Sequence, residues 1–413
     1  MKRHEYAAQK YEELGVDVDK ALETLSGKPI SIHCWQGDDV TGFDSSGAAL
    51  SGGIQATGSY PGKARDPSEL MADFEKAISH IPGKKRINLH ASYALFDDNA
   101  VDRDKLEPEH FLGWVEYAKR LGIGIDFNTT YFGHPMAEDN LTLSSPDDEV
   151  RNFWVRHSIA CRRICSWIAN ELGDEVLCNI WVQDGYKDIP ADRLGPRLRL
   201  RDSLDQIYSE ELPGVIDCVE SKLFGIGLES YTAGSSEFYL SYAATRPGVY
   251  PLLDNGHFHP TESISDKIAS ILVFKDKLPV HITRSIRWDS DHVVLFDDEV
   301  KEIAKEIVRC GALNKALLGL DYFDASVNRV AAWVLGTRNL QKALLNALLM
   351  PHDYMRELQD SGRFTELMVL QEELKVLPFG LIWEHWCKSE GVAPGMEWFD
   401  DIMLYEEEVL LKR

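Results

Sequence analysis

The sequence predicts an α/β fold, a (β/α)8 barrel followed by a C-terminal helical extension. Three observations lead to this prediction. Eight short runs rich in β-branched and apolar residues recur along the chain. Segments with helical spacing separate these runs, and strands that alternate with helices form a parallel sheet with both faces covered. Acidic and imidazole side chains follow several of the runs, at the strand ends where this fold gathers its ligands.

The predicted elements follow one another in a regular order. The strands are predicted at Pro29 to Trp35, Arg86 to Ser92, Gly122 to Asn128, Val176 to Val182, Val215 to Lys222, Val249 to Asp254, Leu278 to Thr283 and Ala316 to Tyr322. The helices are predicted at Pro67 to His80, Glu107 to Leu121, Asp147 to Leu172, Gly195 to Glu211, Ser235 to Thr245, Thr261 to Phe274, Asp297 to Cys310 and Ala325 to Leu349. An open doubly wound sheet is the competing architecture, and the absence of a glycine-rich phosphate-binding motif makes it the weaker one.

Two regions lie outside the repeat. Residues 36–66 form a long Gly/Ser-rich connection, and loops of that length in compact domains are typically functional, so we expect a cover over the site. The region 350–413 carries an acid-rich helical pattern with three tryptophans. We therefore expect residues 1–349, with a short N-terminal helical segment, to form the barrel domain and residues 350–413 to form an arm that packs on its own barrel or on a neighbour's.

Composition restricts the partners and the compartment. Hydrophobic residues make up 44% and charged residues 27% of the 413, as in an ordinary globular enzyme. The net charge of -23 disfavours nucleic acid and anionic membranes as partners. We expect a cytoplasmic protein, because no apolar run resembles a signal-peptide core or a membrane span and the seven cysteines read as scattered, buried thiols.

The strongest chemical signal is a series of metal-capable side chains between residues 220 and 321. They are Glu220, Asp254, His257, His259, His281, Asp289, Asp291 and Asp321. Carboxylates with a minority of imidazoles are typical ligands of Mn²⁺, Mg²⁺ or Co²⁺. No cysteine lies between Cys218 and Cys310, which argues against a zinc–thiolate site. Each residue taken alone is more often a helix cap or a core histidine, but four neighbouring strand ends can aim such groups at one point.

Other residues at the strand ends are suited to a substrate. Lys222 lies two residues beyond Glu220 and faces the same side of a strand. A cation there would repel a divalent ion, so we predict a contact with substrate, where an ammonium can polarise an oxygen. His90 and Trp181 also lie at strand ends, where flat rings stack on a sugar and exclude water.

Seven segments together resemble the bacterial L-rhamnose isomerase family over nearly the whole chain. They are GGIQATGSYPGKA from residue 52, INLHASY from 87, WVQDG from 181, VESKLFGIG from 219, DNGHFHP from 254, HITRSIRWDSDH from 281 and GLDYFDASVNR from 319. The resemblance implies a homotetrameric, cytoplasmic barrel enzyme that converts L-rhamnose to L-rhamnulose with Mn²⁺. It also implies a second, structural divalent ion, with Zn²⁺, Co²⁺ and Mg²⁺ as alternatives to Mn²⁺.

Site residues follow from the same resemblance, position by position. The catalytic metal would be held by His257, Asp289 and Asp291, and the structural metal by Glu220, Asp254, His281 and Asp321. The substrate would be bound by Lys222, His90, Trp181 and Asp184, with Lys222, Asp289 and His257 as the catalytic groups. The segment 52–63 resembles the family's apolar pocket for the sugar's 6-methyl group.

Several questions stay open at this level. Two routes are open for the hydrogen that passes between C2 and C1: a hydride shift, and an enediol with a carboxylate base such as Asp289. A metallohydrolase of the endonuclease type is a second reading of the same ligands, although the acidic net charge and the lack of an obvious basic groove argue against it. A third is a sugar-binding or scaffolding protein that keeps its ions for structure alone.

Overall fold

Eight parallel strands close into a barrel, as the sequence predicts. The computed structural model describes residues 3–44, 54–96, 100–137, 140–286 and 288–413, with residues 288 and 289 described by their backbone only. The barrel strands are β1 Ile30–His33, β2 Lys85–His90, β3 Gly124–Thr129, β4 Val176–Trp181, β5 Val215–Glu220, β6 Val249–Asp254, β7 Leu278–Ile282 and β8 Ala316–Leu320. Each strand pairs with the next along the chain, and β8 pairs with β1 to close the barrel.

Helices follow the strands on the outside. Two precede the barrel, α1 Arg3–Glu12 and α2 Val18–Gly27. The predicted helices correspond to α3 Pro67–Ile78, α4 Leu112–Leu121, α5 Asp148–Leu172, α6 Leu194–Ile207, α7 Ser236–Ala244, α8 Ser265–Leu272, α9 Asp298–Arg309 and α10 Arg329–Leu348. The extension comprises α11 His352–Asp360, α12 Phe364–Leu374, α13 Phe379–Ser389 and α14 Glu397–Glu408. Within the described ranges no helix combines the length and apolar character that a bilayer crossing requires.

Local sequence explains where the helices begin and which face they bury. In α9 the side chain of Asp297 accepts a hydrogen bond from the backbone N–H of Val300, which caps the helix. The buried residues Val300, Ile303 and Ile307 recur at helical spacing and face the barrel, while charged residues occupy the other side. Asp66 caps α3 in the same way, with Pro67 in the first turn.

The strand ends bring the predicted ligands to one rim. Glu220 and Asp254 are the last residues of β5 and β6, His281 is the penultimate residue of β7, and Asp321 follows β8 directly. Because parallel strands end at the same edge of a barrel, the four side chains lie at its C-terminal mouth. Gly319 pairs with His281 across β8 and β7, and a Cβ there would lie 2.8 Å from the imidazole Cδ2, so the glycine gives the ring its space.

The C-terminal arm packs on its own barrel. The indole N–H of Trp386 donates to Ser26 Oγ at 2.7 Å, and the Arg338 guanidinium of α10 lies 5.4 Å from the ring of Trp383. Tyr405 donates to Asp73 Oδ1 of α3 at 2.7 Å, which ties α14 to the helix after β1. The arm thus covers the outside of the first and last βα units.

The connection after β1 is partly described. Asp39 and Val40 have positive φ values of 56° and 61°, which is unfavourable for a β-branched residue such as Val40. The buried Arg329 holds this turn by donating to both oxygens of Asp39 at 2.7 and 2.8 Å, and to Tyr60 O at 2.8 Å. Both described ends of the connection are therefore fixed to α10, whereas the middle of the expected cover, 45–53, lies outside the described residues.

Candidate metal centre

Four ligand atoms converge at the C-terminal mouth of the barrel. Glu220, Asp254, His281 and Asp321 each offer one oxygen or ring nitrogen, and these atoms all lie within 4.8 Å of one another. Asp254 is fully buried, Glu220 and His281 are nearly so, and Asp321 is partly exposed. Three carboxylates and an imidazole at that spacing match the donor set of a divalent cation that prefers oxygen.

The carboxylates divide their two oxygens between the wall and the centre. The side-chain amide of Asn179 donates to Glu220 Oε2. Gly256 N donates to Asp254 Oδ1 at 2.6 Å, and Trp35 Nε1 donates to Asp321 Oδ1 at 3.0 Å. Each carboxylate thus has one oxygen held by the scaffold and keeps the other for the cluster.

Three of the atoms that face the centre find no hydrogen-bond partner among the described residues. Glu220 Oε1, Asp254 Oδ2 and His281 Nδ1 are buried and have no hydrogen-bond partner within the described part of the chain. Buried polar atoms in folded proteins are nearly always satisfied, so an unsatisfied group of this kind requires an explanation. A cation bound by these three atoms and by Asp321 is one, and the residues present fit it.

The charges of the cluster depend on one another. Burial raises the pKa of Asp254 to about 8. Burial also acts to raise the pKa of Glu220, but the facing imidazoles of His281 and His257 outweigh it and hold this pKa below its ordinary value. For His281 burial acts to lower the pKa, yet Glu220 and Asp321 raise it well above the usual range. The cluster therefore holds protons when no metal is present, and metal binding would release them.

The second predicted ligand set lies beside the first and is described only in part. His257 Nδ1 is 3.2 Å from Glu220 Oε1, and both His257 and Asp291 line the same cavity. The strand Trp288–His292 that carries Asp289 and Asp291 pairs with Arg284–Ile286 in a hairpin after β7. The side chain of Asp289 lies outside the described residues. His259 is exposed and contacts Thr261 Oγ1 at 2.8 Å, so it does not join the cluster.

A cavity lies at the barrel mouth, and Glu220 and Asp321 of the four candidate ligands line it. Lys222 lines it with an exposure of only 4%, and its Nζ lies 5.0 Å from the centre of the Trp181 ring. The indole of Trp181 stacks on His257 with 6.4 Å between ring centroids. The cavity thus sets an ammonium and aromatic faces beside the candidate metal ligands.

His90 also lines the cavity. Its ring packs edge-on against Trp35 with 4.6 Å between centroids, and its Nδ1 lies 3.2 Å from Thr130 Oγ1. Burial lowers the pKa of His90 to about 3. The imidazole is therefore neutral at physiological pH and can act as a hydrogen-bonding wall.

Asp184 does not line this cavity. It is fully buried, and its carboxylate accepts four hydrogen bonds, from the backbone N–H and hydroxyl of Thr142 and of Ser144 at 2.6 to 2.9 Å. Both oxygens accept hydrogen bonds within the chain, so Asp184 holds the 142–144 segment in place, and its contact with substrate stays a prediction.

Some lining residues were not anticipated from the sequence. Val40, Phe132 and Phe323 supply apolar wall and Asn128 supplies a polar one, whereas Ile54 belongs to the segment 52–63 that was expected to form an apolar pocket. The apolar residues lie in connections between strands and helices, and the path of such connections cannot be predicted from helical or strand periodicity. Asn128 was detectable in principle, because an amide in an otherwise apolar strand must find a partner inside the barrel.

Comparison with known proteins gives a consistent result. The L-rhamnose isomerase family model matches residues 1–413. An L-rhamnose isomerase of Pectobacterium carotovorum is 54% identical over 409 residues, covering 98% of this chain and 97% of the relative. An L-rhamnose isomerase of Salmonella typhimurium is 52% identical over 411 residues, covering 99% of this chain and 98% of the relative.

A solved structure of an L-ribulose 3-epimerase is similar with a TM-score of 0.49 and 14% identity over 78% of this chain and 95% of that chain, which is too distant to carry an argument. Family membership rests instead on the match to the whole chain and on relatives that share more than half of its residues. This protein is an isomerase that belongs to the L-rhamnose isomerase family.

Proposed function

We propose that the protein interconverts L-rhamnose and L-rhamnulose in the cavity at the barrel mouth, with divalent cations as cofactors. The observation that carries the proposal is the convergence of four ligand atoms within 4.8 Å, beside a buried lysine and aromatic walls. Relatives that match this chain over nearly their whole length and are named L-rhamnose isomerase support the choice of sugar.

Two sets of residues would hold the cations. Glu220, Asp254, His281 and Asp321 would bind the structural ion, and His257, Asp289 and Asp291 the catalytic one. The oxygen-rich donor set favours Mn²⁺, with Co²⁺, Mg²⁺ or Zn²⁺ as alternatives. When bound, the cations supply Lewis acidity and a template for neighbouring sugar oxygens.

The chain's own side chains bind and orient the open-chain sugar. The Lys222 ammonium can donate a hydrogen bond to the oxygen that gains negative charge during the reaction, and its burial strengthens that interaction. Trp35 and Trp181 exclude water and offer faces to the apolar side of the sugar. In the net reaction the O2 proton ends on O1 and the hydrogen on C2 moves to C1. We propose that this hydrogen moves as a hydride.

One experiment tests the reaction and its dependence on metal. Metal-free protein prepared with a chelator is expected to form no ketose from L-rhamnose, and added Mn²⁺ is expected to restore turnover. Under a direct hydride shift, product formed in tritiated water carries little tritium at C1, while extensive incorporation indicates the enediol route. Full activity after verified metal removal would overturn the metal proposal. No ketose with any of the four metals, together with cleavage of abasic DNA, would overturn the assigned reaction.

We also propose a cytoplasmic homotetramer. Helix α12, which packs against α11, exposes Phe364, Met368 and Val369, each more than half accessible. Exposed apolar faces of this kind mark contacts between subunits, and a second copy of the chain is the occupant we propose. Sedimentation equilibrium is expected to give four times the 46.7 kDa chain mass, with dissociation in a variant carrying Phe364→Ser and Met368→Ser. A monomeric wild type would refute the assembly.

A further inference from the structure

Three buried asparagines form a hydrogen-bonded row inside the barrel. Asn88, Asn128 and Asn179 lie on the neighbouring strands β2, β3 and β4 and are at most 3% exposed. The Nδ2 of Asn179 donates to Asn128 Oδ1 at 3.0 Å, and the Nδ2 of Asn128 donates to Asn88 Oδ1 at 2.8 Å. The row ends on the metal centre, since Asn179 Nδ2 also donates to Glu220 Oε2.

The direction of the row is fixed by the charge at its end. The Glu220 side chain ends in a carboxylate, which as an ion can only accept hydrogen bonds, and its Oε2 accepts from Asn179 Nδ2. Asn179 must therefore present its NH₂ group, which spends its two hydrogens on Glu220 and on Asn128. A flipped Asn179 would set its carbonyl oxygen against both partners. Asn128 in turn must present its oxygen to Asn179 and its NH₂ to Asn88 and to Leu89 O.

We propose that Asn179 and Asn128 are positioning residues that set the orientation of the Glu220 carboxylate and thereby the affinity of the metal centre. The terminal torsion of a glutamate is broad, so a carboxylate without a fixed partner can turn. With Oε2 held by Asn179, Oε1 faces the cluster, 3.2 Å from His257 Nδ1 and 3.5 Å from His281 Nδ1. This inference rests on the proposed role of Glu220 as a metal ligand.

Asn128 has no direct contact with Glu220 in the described hydrogen bonds and acts through Asn179. At the far end, Asn88 lines a separate cavity at the N-terminal end of the barrel, and its Nδ2 has no hydrogen-bond partner within the described part of the chain. The constraint is therefore weakest at Asn88 and strongest at Asn179. A graded effect along the row is the signature that separates positioning from a general loss of packing.

The test measures Mn²⁺ binding to metal-free protein by calorimetry, without sugar. Asn179→Leu and Asn128→Leu keep the branched side-chain skeleton and remove the amide, and removal of such supporting hydrogen bonds typically weakens metal binding about 10- to 100-fold. We expect the larger rise in Kd for Asn179→Leu, a smaller one for Asn128→Leu and the smallest for Asn88→Leu. Asn339→Leu is the matched control. Asn339 lies in α10, is also buried, and donates to the backbone carbonyl of Val294 at 3.0 Å.

Circular dichroism of each metal-free variant establishes whether it folds. If Asn179→Leu and Asn128→Leu do not fold, the Kd of Asn88→Leu provides the test. Unchanged Kd values in all folded row variants, or an equal rise in the Asn339 control, would refute the proposal. Because no sugar is present, this result is independent of the assigned reaction. The protein can fail to convert L-rhamnose while the row still controls metal binding, and it can convert L-rhamnose while the row has no effect on metal binding.

Discussion

Replacement of His257 by alanine is expected to lower kcat for L-rhamnose by at least about 10³-fold, the equivalent of roughly 4 kcal/mol of transition-state stabilisation. The imidazole lies at the cavity wall beside Glu220, where we propose that it holds the catalytic cation. We expect the variant to fold, because the eight-stranded barrel and its core do not depend on this side chain. Metal analysis is expected to show the loss of one of two bound ions.

His259→Ala is the matched control for this change. His259 lies two residues further along the same segment but is exposed and hydrogen-bonded to Thr261. Because substitutions of exposed residues away from the site usually have small effects, His259→Ala should leave kcat within about twofold. Asp289→Asn is the companion variant and is expected to behave as His257→Ala does. Near-normal turnover in both His257→Ala and Asp289→Asn would contradict the assignment of the catalytic ion to these residues.

Lys222→Met is expected to lower kcat by about 10²- to 10³-fold, the usual cost of removing one donor that stabilises a developing oxyanion. The methionine keeps the apolar stem against Trp181 and removes the ammonium, which lies 5.0 Å from that ring. Since the ammonium is not a metal ligand, Kd for Mn²⁺ should not rise, and loss of a nearby positive charge can only strengthen cation binding. Steady-state kinetics and Mn²⁺ titration together measure the two effects.

Lys267→Met controls for the loss of a lysine that packs on an aromatic ring. Lys267 Nζ lies 4.6 Å from the Phe258 ring and pairs with Glu262 on the surface, outside the cavity. This variant should retain wild-type kcat. A proportional loss of metal affinity and kcat in Lys222→Met would mean that the lysine supports the metal centre rather than the reacting sugar.

The strand and helix order was predictable because it follows from local patterns. The run from Val249 to Asp254 is apolar and ends in an acid, and it forms β6 over the same residues. The predicted helix from Asp297 to Cys310 is α9 with its cap at Asp297, since capping and helical periodicity are properties of adjacent residues. The sequence left open whether the C-terminal arm packs on its own barrel or on a neighbour's. Contacts such as the one between Trp386 and Ser26, which are 360 residues apart in sequence, answer that question.

The candidate metal ligands were predictable as residue types at strand ends, whereas their surroundings were not. Asp184 occupies a motif position that suggests a pocket contact, and the structure adds that Thr142 and Ser144 each donate two hydrogen bonds to its carboxylate. No pattern in the sequence around residue 142 predicts its hydrogen bonds with Asp184. The cavity wall formed by Val40 likewise depends on a turn with positive φ that Arg329 stabilises from the other end of the chain.

The sequence by itself determined the order of strands and helices, the acid and imidazole character of the barrel mouth, and family membership. Closure of the barrel decided the rest. Only with β8 paired to β1 do Glu220 and Asp321, 101 residues apart, share one centre. Only the stagger of tilted strands sets Asn128 beside Asn179 and Asn179 beside Glu220, so that the Glu220 carboxylate has one oxygen held and one directed inward. The physical reason is that such contacts depend on the register between strands, which no local pattern of residues specifies.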